Sequence, residues 1–198
     1  GASFLMVDLW NMRQKTIDSR EQFISMNDEY VAVPNVTILA HNIAIEQLGS
    51  GIQSTSDINI KNTTNQPFNS FYFTLNPGLI VSELTVNGNT VDFIQKHQIV
   101  LIENVNLKAN ETANVAMTYG GAIDETIAHL EVEQDRYENP NEYFMFSPKK
   151  KYAFMKDDYV LLTKDVMWYP DTEIGYNHVA PAKPRRQLIT FKLQVKPN

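Results

Sequence analysis

Four histidines, at positions 41, 97, 129 and 178, are the first residues to ask about metal or acid–base chemistry, and they lie far apart in the 198-residue chain. None has a second histidine one helical turn away. The His-Glu-x-x-His arrangement, which sets two imidazoles and a glutamate base on one helical face, is therefore absent. In the tract HLEVE, His129, Glu131 and Glu133 fall two residues apart, on one face of a strand, as weak cation ligands or as a solvated face. His41 and His97 read as strand-face or loop residues. There is no cysteine, which removes disulfides, thiolate metal sites and thiol nucleophiles together. No Gly-x-Ser-x-Gly elbow, Walker loop or glycine-rich dinucleotide fingerprint occurs. The paired glycines of TYGGAI end a strand without opening a phosphate-binding helix, and the asparagine-rich turns lack the alternating aspartates of a calcium loop. Asn35, Asn62 and Asn110 each open an Asn-x-Ser/Thr triplet, the glycosylation acceptor pattern, which turn-rich β chains also produce by chance.

The densest nonrandom cluster is VMWYPDTEIGY, residues 166–176. Trp168, Tyr169 and Tyr176 make it the candidate interaction surface, since such rings stack on a sugar or a peptide; the same rings serve equally to plug one end of a β-core. Charge is distributed unevenly. Residues 124–142 carry seven acids against Arg136 alone, whereas Lys183, Arg185, Arg186, Lys192 and Lys196 near the end face no acid in that stretch. Attraction within the fold or simple solvation accounts for both runs. The formal charge of -6 gives no general affinity for nucleic acid or for an anionic membrane.

The elements that must position these residues are mostly strands. A hydrophobic content of 43% with 11% aromatics supplies a sizeable core, and no apolar run reaches the roughly 20 residues of a membrane span. Ser19 followed by Gln22 has the form of a capping box, and Phe23, Met26 and Tyr30 follow at helical spacing, so a helix is predicted over 19–30, ended by Pro34. From residue 36 the period becomes two. Leu39, Ile43 and Ile45 are expected on one face of a long strand, Ile58 and Ile60 on the next, and Phe71, Phe73 and Leu75 on a third. Asn76-Pro77-Gly78 signals a turn and Asn87-Gly88 a type I′ hairpin. HQIVLIEN, ANVAMTYGG, Val160 to Thr163, and a last strand with Ile189, Phe191, Leu193 and Val195 on its apolar face complete the series. The expectation is an all-β domain of antiparallel sheets, saddle- or sandwich-like, with a short N-terminal helix. Residues 135–154 read as an aromatic-rich excursion between strands.

The order YFTLNPGLIVSELTVNGNTVDF, LKANETANVAMTYGGAI, WYP, RQLITFKLQVKP resembles the N-terminal saddle-shaped β-domain of the aminopeptidase N family of zinc metallopeptidases. The segment from Leu107 to Tyr119 and Gly120 matches the family's strand ending in Tyr-x-Gly, Trp168 and Pro170 its Trp/Phe-x-Pro element, and Phe191, Leu193 and Val195 its closing strand. It resembles in particular the variant fused behind the membrane-spanning part of a bacterial ABC transporter permease. That resemblance implies a helical connector over 1–35, a β-domain over 36–198 that continues past its C-terminal side, and a periplasmic place on the inner membrane. It further implies a noncatalytic role, walling the cleft of a downstream zinc peptidase-like domain, with that domain and the permease of the same polypeptide as partners. Zinc is expected only downstream, because neither Gly-x-Met-Glu-Asn nor His-Glu-x-x-His occurs here. In the family a glutamine or glutamate shortly before Trp/Phe-x-Pro reaches the substrate pocket. The corresponding stretch here, LLTKDVMWYP, has Lys164 and Asp165 instead, so no catalytic, cofactor or metal residue is carried over. The alternative is an independent extracytoplasmic binding or adhesion module that uses the aromatic surface around Trp168.

Overall fold

The structure is a computed structural model that describes residues 2–129, 153–155, 160–174 and 189–196. Among the described residues it is mostly β, with one α-helix, at the N-terminus. Helix α1 (Ala2–Tyr30) is followed by β1 (Thr37–Leu48), β2 (Gly51–Lys61), β3 (Phe71–Thr74), β4 (Leu79–Val86), β5 (Asn89–Thr90), β6 (Phe93–Lys96), β7 (Ile99–Ile102) and β8 (Thr112–Gly121). After the 3-10 turn Glu125–His129 come β9 (Ala153–Met155), β10 (Val160–Leu162), a second 3-10 turn at Lys164–Val166, and β11 (Thr190–Val195).

The strands form two layers around one core. The larger sheet runs β11-β1-β2-β8-β4-β5, the smaller β3-β7-β6, and β9 and β10 pair with each other. Ile43, Ile58, Val115 and Met117 from the large sheet pack in one cluster with Phe71, Phe73, Val100 and Ile102 from the small one. Alternation accounts for most of this, because successive side chains of a strand point to opposite faces. Strand β3 departs from it: all four residues are buried, since Tyr72 packs on the far side against Met26 and Ile99. Among the described strands pairing is antiparallel except at β11, which joins β1 in parallel with His41 opposite Phe191, Ile43 opposite Leu193 and Ile45 opposite Val195.

Two local expectations are corrected. In β1 the register shifts between Ile38 and Ala40, so Leu39 is 39% exposed while Ile38, His41, Ile43 and Ile45 point inward. A bulge adds one residue to one strand, and that single residue reverses the inside-outside parity that simple alternation assigns. The helix also begins well before residue 19. Ser19 therefore sits inside α1 and caps nothing; its Oγ lies 3.1 Å from His97 Nε2 instead.

Turn chemistry follows the residue types. Asn87 (φ 51°) and Gly88 (φ 79°) hold the left-handed conformation that a type I′ hairpin needs. Asn76, fully buried, donates from Nδ2 to the Asp124 and Val166 carbonyls at 2.9 and 2.7 Å, and its Oδ1 accepts from the Gly78 and Asp124 amides at 2.9 Å each. That one side chain ties the turn after β3 to the segment after β8 and to the 3-10 turn that precedes Trp168.

Candidate functional site

Three segments converge at one corner of the large sheet: the first half of β1, the stretch 164–173 and the entry to β11. Thr74 fixes the middle segment, because its backbone N–H donates to the Asp171 carbonyl at 2.6 Å and the Asp171 N–H returns a bond to the Thr74 carbonyl at 3.0 Å. Between the segments lies a cavity of about 190 Å³. Ile38 and Ile189 supply apolar wall, Tyr169 an aromatic face, and Lys164, Asp171, Glu173 and His41 the polar groups.

His41 is fully buried. Its Nε2 is 3.0 Å from Ser56 Oγ, which is 3.3 Å from the Tyr119 hydroxyl. Its Nδ1 is buried and has no hydrogen-bond partner among the described residues. Tyr169 and Phe191 approach the imidazole edge-on, with ring centroids 5.7 and 5.8 Å away. Burial lowers the His41 pKa to about 4, against a smaller opposing pull from the Asp57 carboxylate, so the ring is neutral at ordinary pH. Burial likewise raises the Tyr119 phenol to about 12.

The rim is charged. Lys164 Nζ lies 3.3 Å from Glu173 Oε2 and 3.7 Å from Asp171 Oδ2, with 65% of its side chain in solvent. Desolvation alone would lower its pKa; the two carboxylates outweigh it and hold the ammonium above its ordinary value. Asp171 Oδ1 also accepts from the Thr172 and Glu173 amides, so this carboxylate is fixed by its own backbone. Burial raises the Tyr169 phenol, keeping it neutral.

Of the aromatic candidates, Trp168 is 7% exposed and belongs to the main core, in edge contact with Tyr169 at 4.8 Å. Tyr169 is half-buried in the cavity wall, and Tyr176 lies outside the described residues. Glu131 and Glu133 lie outside them too, as does most of the expected aromatic excursion, and the His129 side chain is not described. Lys164 and Asp165 fall on the 3-10 turn just before Met167 and Trp168.

A second constellation joins residues remote in sequence. Ser19 Oγ lies 3.1 Å from His97 Nε2 and 3.4 Å from Asp124 Oδ2, and His97 Nδ1 lies 2.6 Å from Gln98 Oε1. The serine–imidazole distance suits a nucleophile and its base. Two features argue against that use. The carboxylate sits on the serine rather than on the far side of the imidazole, and a serine in mid-helix is surrounded by backbone N–H groups already bonded along the helix, which leaves no oxyanion donors. The network is a clamp: Gln98 Nε2 donates to the Phe23 carbonyl at 2.8 Å, and Phe23 packs on Ile127. Neither this clamp nor the cavity announces itself in sequence, because each joins residues more than seventy positions apart.

No family model and no curated protein matches the chain. Among solved structures it is similar to the M1 zinc metallopeptidase of Deinococcus radiodurans, at 17% identity and a TM-score of 0.42 over 48% of this chain and 22% of that one. A mutant of that enzyme bound to a Tyr-Ser-Ala substrate aligns at 17% identity and a TM-score of 0.41 over 46% and 21%. Legionella pneumophila aminopeptidase A in complex with aspartic acid aligns at 12% identity and a TM-score of 0.37 over 43% and 10%. The chain thus spans about a fifth of the length of the Deinococcus enzyme.

Proposed function

We propose that this chain is a noncatalytic β-domain of an aminopeptidase N-like zinc metallopeptidase, in the form fused to a bacterial ABC transporter permease. It stands on the periplasmic side of the inner membrane. There it packs on the downstream peptidase-like domain and walls one side of that domain's cleft, restricting entry to small peptides. The observation that carries this reading is the joining of the family-like segments in space. The strand that ends Tyr119-Gly120 is β8 and pairs with β4 of the NPGLIVSELTV segment, while the Phe-x-Leu-x-Val strand is β11 and closes the same sheet against β1. Three of these individually weak motifs, the β4 segment, the strand ending Tyr119-Gly120 and the closing strand, thus share one connected sheet, while Trp168 and Pro170 lie off it.

Zinc chemistry is not assigned to this chain. Among the described residues no three His, Asp or Glu side chains gather where an ion would be held. The metal and its ligands belong, on this reading, to the following domain. No helix among the described residues is long and apolar enough to cross a membrane.

Sequencing the coding region on both sides of the chain tests the reading directly. A downstream His-Glu-x-x-His with a further glutamate, and upstream membrane spans, are expected. Their absence, or peptide hydrolysis by the purified 198-residue chain, overturns it.

A further inference from the structure

Strand β11 is the outer strand of the large sheet and all six of its residues are exposed, so both its faces and its far edge are open among the described residues. The direction of its main-chain groups is fixed by β1. Lys196 N–H donates to the Ile45 carbonyl at 2.9 Å. Main-chain groups alternate sides from one residue to the next, so Lys192 and Gln194 turn toward β1 with Lys196, while Phe191, Leu193 and Val195 present their N–H and C=O groups at the open edge. The same three residues carry the strand's exposed apolar face. An open edge with apolar side chains in step is a template for another strand.

A second copy of β11 fits that template in one register. In a symmetric antiparallel pair the residue at the two-fold axis faces its own counterpart. Centred on Lys192, the pairing opposes two ammonium groups; centred on Gln194, it sets each Lys192 opposite a Lys196. Centred on Leu193, it matches apolar with apolar, Leu193 with Leu193 and Phe191 with Val195, and places Lys192 opposite Gln194. Each of those apolar pairs also lies where both main-chain bonds are exchanged. A lysine on an edge strand guards against pairing; here it rejects the neighbouring registers and leaves this one.

We propose that two copies of this chain pair edge to edge through β11, antiparallel and centred on Leu193, joining their large sheets into one continuous sheet. The contact uses the same surface on both copies and closes at two. One strand edge makes a small interface, below the roughly 1,200 Å² of standard complexes, so a weak dimer that forms with rising concentration is expected. The pairing needs this chain alone, and its failure leaves the peptidase-domain reading untouched.

Sedimentation equilibrium of the 198-residue chain, from about 1 μM to about 1 mM, reads the assembly. A reversible monomer–dimer equilibrium with its midpoint inside that range is expected. Leu193→Lys sets two ammonium groups against each other at the axis, and is expected to give monomer throughout with the near-UV circular dichroism of the wild type, because the site is exposed. Disulfide formation reads the register, since the chain has no cysteine of its own. In the proposed pair, positions 192 and 194 face each other at the close, non-hydrogen-bonded spacing of about 4.5 Å between Cα atoms, which a disulfide spans. Under mild oxidation Lys192→Cys mixed with Gln194→Cys should link, and neither variant should link to itself. The proposal is overturned if the chain stays monomeric up to about 1 mM, which would leave the edge to a strand of another protein. It is equally overturned if folded Leu193→Lys dimerises like the wild type, or if either cysteine variant links to itself faster than to the other.

Discussion

Three asparagine side chains do backbone work. Asn35 donates to the Tyr72 carbonyl and accepts from the Tyr72 amide, standing in for a strand partner. Asn62 donates to the carbonyls of Gln66, Leu107 and Lys108 and accepts from Thr64, while Asn76 spans three segments. Two of the three glycosylation triplets therefore begin at amides whose nitrogen is engaged within the fold, and only Asn110 is exposed. Replacing Asn76 by alanine leaves two buried carbonyls and two amides without their partner; a loss of about 3 kcal/mol is expected by urea denaturation. His41 makes a prediction about pH. With its pKa lowered to about 4 in the fold against 6.5 unfolded, the unfolded chain binds the extra proton between those values, so stability falls as pH drops from 6.5 toward 4 and then levels. The contribution is about 3 kcal/mol. Urea midpoints of wild type and His41→Gln, compared from pH 7 to pH 4, should converge by that amount; parallel pH profiles would exclude it. Nothing in the letters around residue 41 shows this burial. The bulge at Leu39 turns His41 inward, and a one-residue insertion leaves no mark on a period-two pattern.

At the scale of elements, turns and strand positions were legible wherever residue chemistry is local. Asn87-Gly88 forms the hairpin its φ preferences require, and Phe71, Phe73 and Leu75 share a buried face as alternation demands. The length of α1 was not, because a helix start is read from capping, and Ser19 and Gln22 imitate a cap in the middle of a helix. Nor was the parallel joining of β11 to β1, which depends on residues about 150 positions apart rather than on either strand's composition. Backbone crowding between the turn before β4 and the end of β8 is a further long-range constraint. Gly121 has φ 144°, and a Cβ there would be built against the Gly78 carbonyl, so both the conformation and the space require glycine. Gly88 has φ 79° with open space around it. Gly121→Ala is expected to cost about 3 kcal/mol or more and Gly88→Ala about 1–2 kcal/mol, read from chemical denaturation of the two variants; equal costs would show that the crowding at Gly121 relaxes freely.

On the scale of the whole molecule, the core ends at β1 although the sheet does not. Register places Leu193 and Val195 opposite Ile43 and Ile45 on the same face, yet Ile43 is 2% exposed while Leu193 and Val195 are 45% and 66% exposed. The alternation of the last strand was readable in sequence; its exposure was not, because a period of two reports which side chains share a face and says nothing of what lies over that face. Strand β11 is held by its main-chain bonds to β1 and, at Phe191, by edge contacts with His41 and Tyr169. Burial rather than hydrophobicity then decides what each side chain contributes, since only area removed from water on folding counts. Leu193→Lys should change the free energy of unfolding by less than about 0.5 kcal/mol, as exposed substitutions do. Ile43→Lys, its register partner, buries an unpaired ammonium in the main cluster and should leave the chain unfolded at 25 °C. Urea denaturation and near-UV circular dichroism of the two variants read the contrast. If Leu193→Lys proves as damaging as Ile43→Lys, the core extends across β11 and the boundary drawn here at β1 is wrong.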